Sequence, residues 1–333
     1  MRLVSAALAR LRLDPYIAAI LLTVGIAALI PCRGGTAAVL DQAVAVAITL
    51  VFFLYGVKVP TRQALESLRH WRLHLVIVLL TFGVFPVLAL AGMLLVPSVL
   101  DPRLYGGVAF LCVLPSTVQS SITLTAIARG NEAAAICSAS LSSMLGVVLT
   151  PVLAAALVSA EGGGVSARSV GDIMLRLLLP FVLGQLAQRW IGRPVRARSK
   201  QLSLFDRGVI LMVIYTAFSQ GIVTGVWRRL EPERFAPLLA VIAVLLAVAL
   251  GAAHLLSRGF SGPDRVAILF CGSQKSLASG LPMASVLFAD STVGLMVLPL
   301  MLYHQLQLLV CSWLAQRFAG RADPATEPAV ATA

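Results

Sequence analysis

Two polar strings stand inside long apolar stretches of this sequence. The first reads Leu114-Pro115-Ser116-Thr117-Val118-Gln119-Ser120-Ser121-Ile122-Thr123. The second reads Cys271-Gly272-Ser273-Gln274-Lys275-Ser276-Leu277-Ala278-Ser279-Gly280-Leu281-Pro282. Hydroxyls, amide oxygens and main-chain carbonyls freed by a helix break are hard oxygen ligands, suited to a small cation. Half-helix N-termini at the same place would favour an anionic group of a solute. Lys275 lies about ten residues into an apolar run spanning 266–288. An ionisable residue that deep is costly and points to function. It could cycle a proton, hold an anionic solute, or replace a bound cation as a fixed internal charge. The competing reading is that Ser, Thr and Gly are common where membrane helices pack.

The elements that must position these strings follow from composition. Of 333 residues, 59% are hydrophobic and 12% are charged. Soluble domains carry about twice that charged fraction, so lipid must be the solvent for most of the surface. A single crossing needs ~20 apolar residues. Apolar runs can be read at 15–31, 39–57, 73–96, 104–128, 133–158, 173–190, 208–227, 235–256, 266–288 and 293–318. That predicts ten transmembrane helices with short loops and no room for a soluble domain. With the N-terminus inside, most Lys and Arg fall on the cytoplasmic side, and the segment 189–207 carries the strongest signal. The expected location is the cell (inner or plasma) membrane, multi-pass, with both termini cytoplasmic. Arg2, Arg10 and Arg12 before the first run resemble a signal peptide, but the many further runs favour a retained helix.

Five runs precede the 161–171 loop and five follow it, so the halves take opposite orientations. The two polar strings occupy matching places in those halves, which is the best sequence pointer to a transporter binding site. The expected division is a first five-helix repeat over 13–160, a second over 170–318, and a disordered tail over 319–333. Within this frame the candidate ion-binding or ion-substituting residues are Thr81, Ser120, Ser121, Ser138, Ser142, Gln274 and Lys275. The candidate solute-binding residues are Ser116, Thr117, Gln119, Thr123, Ser273 and Ser276. Ser138 and Ser142 are four apart on one helix face and would border the break in the fourth span. His304, Gln305 and Gln307 in the tenth span read more simply as interhelical contacts.

Other chemistries are poorly served. The net charge of +12 resides in loops, where it sets topology and meets anionic lipid rather than nucleic acid. Five scattered cysteines form no Cys-x-x-Cys pair, so neither a zinc site nor a disulfide framework is signalled. An intramembrane serine protease would want Gly-x-Ser-Gly, and the nearest string, Leu277-Ala278-Ser279-Gly280, lacks the first Gly. No paired aspartates lie within spans and no His-Glu-x-x-His is present. The chain is therefore read as no enzyme, with no cofactor beyond sodium or a proton as coupling ion. Its partners are a small-molecule solute and the lipid bilayer.

The sequence resembles the bile acid:sodium symporter superfamily, solute carrier family 10, and within it the SBF-like branch that includes the orphan seventh vertebrate member. The resemblance rests on Arg129-Gly130-Asn131-Glu132-Ala133-Ala134-Ala135 leading into Leu149-Thr150-Pro151, and on Lys275-Ser276-Leu277 followed by Gly280-Leu281-Pro282-Met283. Trp71-Arg72-Leu73-His74-Leu75 and Pro86 in the third span add to it. It implies ten helices as two inverted repeats, with panel and core domains around a solute cavity. It also implies that the fourth and ninth spans break and cross, with two sodium ions behind the crossover in sodium-coupled members. By that resemblance Ser120 and Ser121 match a Ser-Asn sodium-binding pair, Gln274 matches a ninth-span Gln, and Thr81 falls where a third-span Gln stands. Phe270 replaces the family's ninth-span glutamate and Lys275 replaces an Asn, and both changes oppose sodium. The function expected is a secondary transporter of a small organic, anionic solute by alternating access. The alternative is a non-transporting membrane regulator or scaffold of ion or lipid homeostasis.

Overall fold

The computed structural model describes residues 15–58, 70–158, 167–225, 233, 235–288 and 290–320. The basic stretch with Arg2, Arg10 and Arg12 lies outside them, as do 159–166 before the sixth run and the tail beyond Gly320. All regular structure among the described residues is helical. Helix α1 is Pro15–Leu29 and α2 is Gly35–Lys58. Helix α3, Trp71–Leu79, passes through a π-helical turn, Leu80–Val84, into α4, Phe85–Gly92. Helices α5, Pro102–Val113, and α6, Val118–Ile127, are separated by a sharp break. Then follow α7, Glu132–Val158, α8, Ala167–Ala197, α9, Ser199–Val223, and α10, Phe235–Leu256. Helices α11, Gly262–Ser273, and α12, Leu277–Leu287, flank a second break, and α13 is Asp290–Ala319.

This architecture corrects the ten-helix, inverted-repeat expectation with its panel and core domains and crossing spans. Among the described residues six helices are long and apolar enough to cross a membrane, and seven if the bent pair α5–α6 counts as one span. Reading apolar runs overcounts because it ignores length and interruption. Helix α1 has 15 residues, below the ~20 a crossing needs. Helices α11 and α12 have 12 and 11 residues and flank Lys275. Helix α8 is long, but Arg176, Arg189 and Arg193 dilute its hydrophobicity.

The outer surface shows what solvates it. Leu21, Val46, Leu79, Leu94, Leu186, Val244 and Leu309 are exposed large apolar side chains on several helices, as expected for lipid-facing helices. Charged caps tie the ends. Asp101 accepts the Arg103 N–H at 2.8 Å ahead of α5, with Pro102 in the first turn. Ser261 accepts the Asp264 N–H ahead of α11, and Asp264 in turn accepts from Asn131 at 2.8 Å. This last bond fastens the loop before α7 to the first turn of α11. Helices α2 and α8 make the most intimate pair, because Gly56 and Gly184 let each backbone approach the carbonyls of Phe181 and Phe53. The amides of Gln185 and Gln188 then reach the Gly56 and Val57 carbonyls at 2.8 and 3.3 Å.

Candidate functional site: a lysine in a cage of carbonyls

Many of the main-chain groups freed at the two breaks find partners in one place. Helix α5 ends where Pro115, lacking an N–H, prevents the next turn. Leu114 and Thr117 are extended, and the axis bends by 64° into α6. The Val113 carbonyl takes the Thr150 hydroxyl at 2.8 Å, and the Ser116 N–H is accepted by the Ser142 hydroxyl at 3.0 Å. The Pro115 carbonyl takes the Ser276 N–H at 2.9 Å. The carbonyls of Cys112 and Leu114 remain, and both accept from the Lys275 ammonium, at 3.0 and 2.7 Å.

A third carbonyl comes from the π-helical turn. There the Phe85 N–H is diverted to the Leu80 carbonyl. Thr81 thereby loses its usual donor, and the next residue in line, Pro86, has no N–H. The Lys275 ammonium donates to this Thr81 carbonyl at 2.9 Å. Three N–H groups thus meet three carbonyl oxygens, the full donor set of an ammonium. The Phe85 ring closes a fourth side, its centroid 3.9 Å from Nζ. Lys275 is fully buried and makes no ion pair among the described residues. The charge is held by carbonyl dipoles, those at the C-terminal end of α5 among them, and by the face of the Phe85 ring.

The backbone that carries the lysine is clamped as well. The Lys275 N–H donates to Gln307 Oε1 at 2.8 Å, and its carbonyl accepts from Gln307 Nε2 and Thr117 Oγ1, each at 2.9 Å. The Tyr303 hydroxyl caps the Ser273 carbonyl at 2.8 Å. The Ser276 hydroxyl accepts the Ser279 N–H at 3.2 Å and opens α12.

The sequence-derived residues divide accordingly. Gln274 Oε1 accepts from Ser120 and Ser121 at 2.7 and 3.1 Å, and Ser121 lies 3.5 Å from the Ser116 hydroxyl. Ser116, Thr117, Ser120, Ser121, Ser142, Gln274, Lys275 and Ser276 therefore form one polar centre. Thr81 belongs to it through its carbonyl, while its hydroxyl turns back to Ile77 at 2.8 Å. Ser273 likewise turns its hydroxyl back, to Leu269 at 2.6 Å. Ser138 is drawn away to His74 Nδ1, at 2.7 Å. Gln119 and Thr123, four apart on α6, are exposed and outside the centre. Among the described residues no three His, Cys, Asp or Glu side chains gather as a metal site.

Sequence reasoning missed a cavity of about 530 Å³ between α2, α8, α9, α12 and α13. Its walls are mostly apolar, with Asp41, Thr49, Arg176, Thr216, Gln220 and Ser285 as the polar groups. None of the candidate solute residues lines it. Arg176 is exposed to the cavity and makes no ion pair among the described residues. The missed signal was Arg176 itself, a charged residue within the apolar run 173–190.

An all-helical multi-pass membrane protein with broken helices around a polar centre is a secondary carrier in architecture. The comparisons make that specific. The sequence profile of the SBF-like CPA transporter family matches residues 14–320, and this chain belongs to that family. It is 48% identical to protein PA2026 of Pseudomonas aeruginosa, over 94% of this chain and 95% of that protein. It is 43% identical to YfeH of Escherichia coli, whose name proposes a symporter, over 92% and 93% of the two chains. Similarity to the sodium/bile acid cotransporter 7 of Rattus norvegicus is modest, at 29% identity over 94% and 97%. Membership in a carrier family, rather than a catalytic one, agrees with the reading of the chain as no enzyme.

Proposed function

We propose that this chain carries a small organic anion across the membrane by alternating access, with Lys275 occupying the place of a coupling cation. The observation that carries the reading is the ammonium held by the carbonyls of Thr81, Cys112 and Leu114. A free cation would need the same oxygens, so lysine and ion compete for one cage. Ser120, Ser121 and Gln274 sit beside the cage as the residual oxygen donors, and Ser116, Thr117, Ser142 and Ser276 hold the two breaks together. Sodium is therefore not the driving ion.

In this reading the solute enters the cavity lined by Arg176, which supplies the counter-charge for a carboxylate against mostly apolar walls. Gln119 and Thr123 offer polar contacts along its route. Helices on either side of the cavity rock around the lysine centre. The termini face the cytoplasm, as the distribution of Lys and Arg supports.

Thermal unfolding in sodium, potassium and choline chloride tests the exchange of ion for lysine. Wild type is expected to melt at the same temperature in all three. Lys275→Ala is expected to melt higher in sodium than in choline, because a ligand bound only by the native state stabilises it. At a concentration one hundred times the dissociation constant the gain is about 2.7 kcal/mol. Sodium stabilisation of wild type would overturn the proposal. A second measurement addresses the solute. Among monocarboxylates of three to ten carbons, at least one is expected to raise the wild-type melting temperature, and none that of Arg176→Gln.

A further inference from the structure

The clamp on the Lys275 peptide ends at a histidine. Gln307 is fully buried, and its amide is oriented by necessity. Oε1 must face the Lys275 N–H, which can only donate. Nε2 then has two hydrogens, one for the Lys275 carbonyl at 2.9 Å and one for His304 Nδ1 at 2.9 Å. His304 and Gln307 lie three apart on α13, so they share a face. In this arrangement Nδ1 must accept, and the imidazole is neutral with its proton on Nε2.

We infer that His304 is a proton-binding residue that controls the hold on the Lys275 peptide. A proton on Nδ1 turns the acceptor into a donor facing the Gln307 N–H. Turning the amide over does not cure this. It would give His304 its oxygen, but would set an amino group against the Lys275 N–H and an oxygen against the Lys275 carbonyl. With Gln307 as it sits, protonation turns one good contact, that with Nδ1, into an opposed one; with the amide turned over it leaves two opposed contacts, both on the Lys275 peptide. Either way the Gln307 amide is pushed from its place, and the hold on the Lys275 peptide weakens. The inference rests on the carrier reading only in making this proton the coupling ion.

The surroundings leave His304 as the group that can do this. Helices α6 and α12, packed on α13, bring no ionisable side chain. Helix α5 brings Arg103 at its start, Tyr105, which is bonded to the Ala89 carbonyl, and Cys112. Helix α9 brings Lys200, Arg207 and Tyr215, and Asp206, which is paired with Lys58 at 2.9 Å. Helix α10 brings His254 in its last turn. On α13 itself Tyr303 is committed to Ser273, Cys311 lies two turns on, and Arg317 is in the last turn. Lys275 has its ammonium in the carbonyl cage.

Hydrogen–deuterium exchange of the full-length protein reads the clamp without any solute or ion gradient. The peptide covering residues 272–278 contains the Lys275 amide, and a peptide from α10 serves as internal reference. After correction for intrinsic exchange, wild-type protection of 272–278 is expected to fall at least fivefold between pH 7.5 and 5.5, with the reference unchanged. Asn places its side-chain oxygen where Nδ1 stands, so His304→Asn should stay protected at both pH values. His304→Phe should be poorly protected at both. Protection in wild type that does not change with pH overturns the inference, and so does an unchanged pH response in His304→Asn. Should the Asn variant fail to fold, Gln307→Met supplies the comparison. It removes the clamp but keeps the histidine, and a wild-type-like pH response in it would equally overturn the inference. Because no transport is measured, this outcome is separable from the fate of the carrier reading.

Discussion

Lys275→Met is expected to destabilise the protein by about 3 kcal/mol, the scale set by three buried carbonyls at about 1 kcal/mol or more each. Methionine nearly conserves the volume, so the loss is electrical rather than a matter of packing. The carbonyls of Thr81, Cys112 and Leu114 have no other donor in reach. Thr81 is denied one by the π-helical turn and Pro86, and the other two by the break at Pro115. Relief of the buried charge offsets part of the loss, which is why the lower bound for each carbonyl is the one used. In a thermal melt the change should amount to roughly 5 °C or more. Lys275→Arg gives a sharper contrast. Its charge is kept, but a planar fork cannot aim three N–H groups inward at a cage of this radius. Arginine should therefore fail to rescue. A wild-type melt for Met, or full rescue by Arg, would show that the carbonyls are satisfied by something other than the lysine.

Gly184→Leu should be at least as damaging, for a wholly different reason. A Cβ at Gly184 would land on the Phe53 carbonyl, and one at Gly56 on the Phe181 carbonyl. Both obstacles are backbone, so no rotamer change relieves the clash, and α2 must move away from α8. Ordinary overpacking costs about 1–3 kcal/mol. Here the displacement also strips the Gln185 and Gln188 bonds from the Gly56 and Val57 carbonyls. A loss above about 3 kcal/mol follows, with Gly184→Ala smaller but of the same sign. Gly251 is the control, because nothing lies within 4 Å of a Cβ placed there. Gly251→Ala should be neutral or stabilising by up to about 1 kcal/mol. Unfolding in detergent or nanodiscs distinguishes the pair, and equal behaviour of Gly184→Ala and Gly251→Ala would refute the close approach.

How far the sequence could be read depended on whether a feature was local. Pro115 with its neighbouring hydroxyls is a local signal, and the chain does leave helical geometry there. In the second string the proline misleads, since Pro282 sits inside α12 and the break lies upstream around Lys275. The count of crossings failed because runs such as 15–31 and 266–288 each read as one span, although one forms a 15-residue helix and the other two short ones. Ser138 and Ser142 share a helix face as the spacing requires, but His74 captures the first and the Ser116 amide holds the second. No spacing rule could have revealed this, because His74 arrives from α3. The cavity was equally hidden, and so was the link from the His304–Gln307 pair to Lys275, since each joins different segments of the chain. Thr81 stands out because it falls where the family's third-span Gln stands, and it contributes its carbonyl, a group that every residue has.

The long sequence separation within the cage also bears on how the protein is made. Lys275 follows Leu114 by 161 residues. At roughly 5–20 residues per second, the ribosome needs on the order of 10–30 s to deliver the lysine after the break has been synthesised. During that interval the α5–α6 segment carries unsatisfied carbonyls that lipid cannot solvate. Its insertion must wait in a hydrated setting, beside the translocation channel or at the membrane surface, until α11 to α13 emerge. The centre of this carrier is thus the last part of it to become a membrane protein.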